Sequence, residues 1–310
     1  PPPSSSIPSS SRNANPPFSF RCSCEKSGAR HAIYTDGHAI SSCRWGSLLG
    51  GTSQFCASFY HIEPTPEGGI PELCLNAACG QQPCPRKTVV LVARLQQQKA
   101  DNSWTDVYVA RYSNCFQGGT EANMHAEKFL LSDPKLSAAL NGMPQAGGRL
   151  ILYLTYQPCH HSGGHKKRGM GEHGTSCTEL LLRFVADVLM PRRIILDIRL
   201  TYIYRAHWAQ GGYDRKYEPA VMAARRGLEL LAQQAPHVEL SALAPSDWDW
   251  LIEQCDEKVR SMWREGKHPL GEGAREARQK MDAFVADFLA GFGRTRSDGD
   301  QAAAVEVEEE

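Results

Sequence analysis

The most regular patterning of apolar and polar positions lies between residues 86 and 293. Thr88 to Leu95 (TVVLVARL) is short, β-branched and almost wholly apolar, the pattern of a strand buried on both faces. Trp104 to Arg111 (WTDVYVAR) alternates and reads as its hairpin partner. An apolar helix starts at His125 and stops near Ser132, where Asp133-Pro134 opposes continuation. After Gly147-Gly148, Arg149 to Tyr156 (RLILYLTY) predicts a central strand. Ser176-Cys177-Thr178-Glu179 has the form of a capping box. Leu180, Leu181, Phe184, Val185, Val188 and Leu189 make the stripe of the helix behind it, and Pro191 ends it. A strand over Arg193 to Tyr204, a helix over Glu218 to Gln234 and a strand over Val238 to Leu243 follow. Two helices, Asp247 to Glu257 and Glu272 to Phe292, close the pattern.

The order is β-β-α-β-α-β-α-β-α-α. Right-handed strand–helix–strand crossovers make the middle strands parallel, and the hairpin adds antiparallel strands at one side. The expected fold is therefore α/β: a five-stranded mixed sheet between helices, a three-layer α/β/α domain over residues 86–260. Residues 261–293 add a packing helix. Residues 1–17 (PPPSSSIPSSSRNANPP) are a Pro/Ser tract expected to be disordered, as is the acidic tail 294–310.

Residues 18–85 form a Cys-rich N-terminal extension. Cys22-x-Cys24 and Cys74-x4-Cys79-x4-Cys84, with His31, His38 and His61, match no known finger spacing. A subdomain of free or paired thiols packed on the following domain is favoured over a second, structural zinc. Eleven cysteines is an odd number, which argues against a secreted disulfide scaffold and for a reducing compartment, nucleus or cytoplasm. No run approaches a membrane span. The chain opens on Pro1 without a signal-peptide pattern, and this beginning says nothing about compartment. Net charge is zero, but setting aside the six acids of residues 298–310 leaves 34 basic against 28 acidic residues, a net +6. A basic body of that kind suits contact with nucleic acid without requiring it.

The chemistry concentrates in three places. His125 and Glu127 open one helix, Pro158-Cys159 follows the central strand, and Cys177 opens the next helix. One imidazole and two thiolates supply three tetrahedral ligands for Zn2+ and leave the fourth position to water. Zinc makes that water acidic, and Glu127 is free to carry protons. Histidine-x-glutamate followed by proline-cysteine and a further cysteine is the signature of zinc-dependent nucleobase deaminases. Its second half is ordinarily Pro-Cys-x-x-Cys, whereas here seventeen residues separate Cys159 from Cys177. The insertion also carries His160, His161, His165 and His173, any of which could replace Cys177 or hold a second metal. The capped helix start favours Cys177, whose thiolate gains from the helix N-terminus. Lys166-Lys167-Arg168 make the insertion a basic loop suited to phosphate contact.

Over residues 86–260 the His-Ala-Glu helix, the aromatic-x-Pro-Cys after the third strand and the strand end Arg199-Leu200-Thr201-Tyr202-Ile203-Tyr204-Arg205 resemble the AID/APOBEC-like cytidine deaminases, in a divergent branch. That resemblance implies a cytidine-deaminase-like fold and hydrolysis of cytosine to uracil in single-stranded DNA or RNA, DNA favoured. It makes Glu127 catalytic, His125, Cys159 and Cys177 the zinc ligands, and Asn114, Ala126, Thr155, Tyr156, Gln157, Tyr204 and Trp208 the substrate contacts. Tyr156 would floor the base pocket, the 155–157 backbone would meet the cytosine amine, and Tyr204 would stack on the base. The family has Ser-Trp-Ser before Pro-Cys, where this chain has Thr155-Tyr156-Gln157. Two other readings stand beside this one: a deaminase of free cytidine or its nucleotides, and a catalytically silent deaminase-fold protein that binds nucleic acid.

Overall fold

A computed structural model of the chain describes Phe18 and residues 32–34, 47–60, 90–113, 125–143, 147–160, 176–203, 218–268 and 272–304. The hairpin is β2 (Val90–Gln98) and β3 (Trp104–Ser113), followed by helices α2 (Ala126–Leu131) and α3 (Pro134–Gly142). Then come β4 (Gly148–Tyr156), α4 (Cys177–Phe184), β5 (Ile194–Tyr202), α5 (Glu218–Ala232) and β6 (Val238–Ala242). The chain closes through α6 (Pro245–Glu253), α7 (Glu257–Arg264) and α8 (Glu272–Ala304). Two short elements precede the hairpin: β1 (Ala32–Tyr34) and α1 (Thr52–Phe55), the latter running into a wider turn over Cys56–Tyr60.

The expected five-stranded mixed sheet is present, in the order β3-β2-β4-β5-β6. Strand β1 adds a sixth at the hairpin edge, antiparallel to β3. β2 is antiparallel to both β3 and β4, whereas β4, β5 and β6 run parallel. The apolar run of each central strand serves two layers at once, because successive side chains leave opposite faces. Leu91, Ala93 and Leu95 of β2 and Leu150, Leu152 and Leu154 of β4 enter one core with α2, α3, α4, α5 and α8. Val90 and Val92 of β2 and Ile151 and Tyr153 of β4 enter the other, with α6, α7 and Leu48, Leu49, Phe55, Phe59 and Tyr60. Part of the Cys-rich extension thus lies in the second layer. It also closes the α6–α7 joint, where Leu49 N donates to Gln254 O (3.0 Å) and Asp256 N to Gly50 O (2.9 Å).

Three boundaries differ from the sequence pattern. Asp133-Pro134 ends α2 and at once starts α3: Asp133 accepts from Lys135 N at 2.8 Å as N-cap, and proline at the first helical position gives up no needed donor. The helix expected over Asp247–Glu257 is α6, which stops at Glu253, and a further helix follows it, α7, for which Asp256 is the cap, accepting from Val259 N at 3.0 Å. Helix α8 continues beyond Phe292 to Ala304. No helix among the described residues is long and apolar enough to cross a membrane. Residues 1–17 and 305–310 lie outside the described residues, as do the N-terminal motif residues Cys22, Cys24, Cys74, Cys79, Cys84, His31, His38 and His61.

Candidate metal centre

Three element ends meet at the carboxyl edge of the parallel strands, the usual ligand position of such sheets. His125 is the extended residue that precedes α2, and Glu127 lies in that helix's first turn. Cys177 is the first residue of α4. Its helix start is fixed by the capping box read in the sequence: Ser176 Oγ accepts from Glu179 N (3.2 Å), and Ser176 N donates to Glu179 Oε2 (2.7 Å). Cys159 follows β4. His125 Nδ1 stands 3.4 Å from Cys159 Sγ and 3.3 Å from Cys177 Sγ, and the three ligand atoms all lie within 4.8 Å of one another.

This spacing fits a tetrahedral metal. Metal–sulfur and metal–nitrogen bonds of about 2.3 and 2.0 Å at a tetrahedral angle place S and N about 3.5 Å apart. The donor set could hold a metal ion, and it is the one such group of His, Cys, Asp or Glu among the described residues. Cys159 is pushed well down from the ordinary thiol range, first by a hydrogen bond from Cys177 and then by His125. Cys177 is pushed well up, by that same bond and by burial. Hydrogen bonding to Cys159 carries the His125 imidazole up to about 9. The opposed shifts make Cys159 the thiol that loses its proton more readily, and binding a cation would displace the protons this cluster holds.

Glu127 is buried beside the trio, at 3% exposure. Burial raises its pKa, opposed by His125. Its Oε2 has no hydrogen-bond partner among the described residues.

The seventeen-residue separation is absorbed by a clasp. Thr178 N donates to Cys159 O (3.0 Å) and Thr178 Oγ1 to Pro158 O (3.3 Å), while His160 Nδ1 meets Ser176 Oγ at 3.1 Å. The chain thus leaves and re-enters the centre between paired residues. His160, one of the alternative ligands, is engaged in this clasp. The other three, His161, His165 and His173, lie outside the described residues. A residue that sequence reasoning passed over makes room for the clasp: a Cβ on Gly227 of α5 would stand 2.6 Å from His160 Cβ and 3.1 Å from Thr178 Oγ1.

Of the expected substrate contacts, Asn114, Tyr204 and Trp208 lie outside the described residues. Ala126 is buried in the first core. Tyr156 is half-buried at the end of β4, its ring 6.2 Å from that of Tyr202, and Gln157 is buried. Thr155 is tied into the fold: its hydroxyl donates to Ser58 O (2.7 Å) and accepts from Val90 N (3.2 Å), and its carbonyl accepts from Thr201 Oγ1 (2.9 Å).

No model of a known protein family matches the chain, and no curated protein is found significantly similar to it.

Proposed function

We propose that the chain is a zinc-dependent deaminase that converts cytosine to uracil in single-stranded nucleic acid, DNA ahead of RNA. One observation carries the reading: a buried carboxylate, one oxygen of which has no partner among the described residues, stands next to a His-Cys-Cys donor set. A purely structural metal site has no use for Glu127, whose burial disfavours the charged form and is offset only in part by His125 and by a hydrogen bond with Cys177. The α/β sheet, the order of the motif elements and the basic body support the same reading.

His125, Cys159 and Cys177 would hold the zinc, which when bound would supply an acidic water beside Glu127, within reach of carbon 4 of the base. Glu127 Oε2 would take one proton of that water and deliver it to the ring nitrogen as the bond from the water oxygen to carbon 4 forms. It would then take the second proton from the new hydroxyl on that carbon and give it to the exocyclic amine, which leaves as ammonia when the carbon–nitrogen bond breaks. Its raised pKa suits a group that must hold a proton between those transfers. Tyr156, at the end of β4, offers a partly exposed ring on which a base can rest. The test incubates the purified protein with cytosine-containing single-stranded DNA and a matched RNA, beside Glu127→Gln, and sequences for C-to-U changes. Edits that vanish in the variant are expected. No edits in either polymer, with zinc bound, would overturn the reading.

A further inference from the structure

We infer that Arg278, on the C-terminal helix α8, is a positioning residue for the candidate base pocket, acting on it through Thr201 and Tyr202. The inference rests on the deaminase reading above. Strand β6 pairs with β5 only as far as Leu200↔Ala242. At the next residue Arg278 takes over that edge: its Nη2 donates to Thr201 O at 2.6 Å. Its guanidinium lies 4.7 Å from the Tyr202 ring centroid and 5.0 Å from that of Trp248. From Thr201 a line of hydrogen bonds continues inward. Thr201 Oγ1 donates to Thr155 O, and Thr155 Oγ1 joins Ser58 O and Val90 N. The line crosses β5 and β4 one residue before Tyr202 and Tyr156, the two rings that face each other at the strand ends.

Packing alone is a poor account of this arginine. It is 1% exposed and pairs with Asp282, whose Oδ1 accepts from Nε at 3.0 Å. Its Nη1 is buried without a hydrogen-bond partner among the described residues. Apolar residues of similar volume usually serve stability as well as a buried ion pair does, or better. A guanidinium adds direction: its rigid planar fork holds a carbonyl and lies flat against an aromatic ring at once. Here the carbonyl and the ring belong to neighbouring residues at the strand end that backs Tyr156.

The deciding variant is Arg278→Met with Asp282→Asn. It removes both charges and keeps an acceptor for Trp248 Nε1, which now donates to Asp282 at 2.8 Å. The positioning role predicts a full complement of zinc, a Tm equal to or above the parent's, and faster amide exchange confined to residues 199–203 and 153–157. It also predicts a KM for a cytosine oligonucleotide raised roughly tenfold or more, with kcat within about threefold. Thr201→Val, which breaks the line one link further in, raises KM likewise, and Thr201→Ser restores it. Parental KM and parental exchange in the double variant would overturn the inference, and so would a lowered Tm with loss of zinc. If the parent protein edits no cytosine, the deaminase reading fails, while exchange at residues 199–203 still decides whether Arg278 fixes the strand end.

Discussion

On the second face of the sheet Arg199 sits between two buried carboxylates, and at the carboxyl edge of the same strands two thiols crowd one imidazole. The first cluster is saturated. Arg199 reaches Asp197 through Nη2 at 2.6 Å and Asp247 through Nη1, and Tyr153 donates its hydroxyl to Asp247 at 3.2 Å. Asp247 also accepts from Ala244 N at 2.8 Å, so the network pins the start of α6 to β5. Among the described residues the second cluster is left open: one Glu127 oxygen has no hydrogen-bond partner, and the Cys159 thiol is pushed down by Cys177 and His125. Both groups are buried and charged, so burial alone does not separate structure from chemistry. Satisfaction does. Buried polar groups that complete one another hold a fold, whereas titratable groups left incomplete around a possible metal donor set mark a candidate for chemistry.

The sharpest way to break this contrast is to neutralise one member of each cluster. Glu127→Gln should lower deamination by about 10²–10⁴-fold, the usual contribution of a positioned acid–base group, with zinc content and Tm unchanged. Assay and metal analysis on one preparation check this. Retained activity would remove Glu127 from its role. Arg199→Met should do the reverse. It strands two buried carboxylates and should cost about 3–5 kcal/mol in urea unfolding, while the protein that remains folded binds its metal in full. A stability loss after Glu127→Gln, or a metal loss after Arg199→Met, would merge what the comparison separates.

Gly227→Ala is the next largest. Alanine favours a helix interior over glycine by about 1 kcal/mol. Against that, the added carbon stands 2.6 Å from His160 Cβ and presses on the clasp behind Cys159. Zinc affinity should fall about 10–100-fold, as it does when the supports of metal ligands are disturbed. Chelator competition measures it, and an unchanged affinity with raised Tm would show the clasp to be slack.

What the sequence disclosed follows the same division. The strands, the capping box at Ser176 and the convergence of His125, Cys159 and Cys177 were legible because each is written in neighbouring residues or in a motif of fixed order. Helix α3 was missed because Asp133-Pro134 was weighed as a stop, although a capping aspartate before proline is equally a start. Gly227, the Thr155–Thr201 line and Arg278 were not legible, since their partners lie far away in the chain: Arg278 comes 77 positions after Thr201. Tyr204 and Trp208 rest on the resemblance alone.

The smallest expected effect carries the most about the centre's design. Removing residues 161–175 and joining His160 to Ser176 leaves Pro158-Cys159-His160-Ser176-Cys177, which is the Pro-Cys-x-x-Cys spacing that the insertion interrupts. The two flanking residues already meet, with His160 Nδ1 3.1 Å from Ser176 Oγ, and the backbone is already bridged from Thr178 N to Cys159 O. Zinc stoichiometry should therefore be unchanged in the shortened chain, or in one with a single glycine at the joint. If Lys166, Lys167 and Arg168 touch phosphates, the salt dependence of single-strand binding should flatten by about 0.7 in log–log slope per lost contact. An unchanged slope would free the basic loop of that role and leave the metal centre intact. Loss of zinc would mean instead that the insertion supplies a ligand, and the open cluster would then be more nearly closed than its described residues make it.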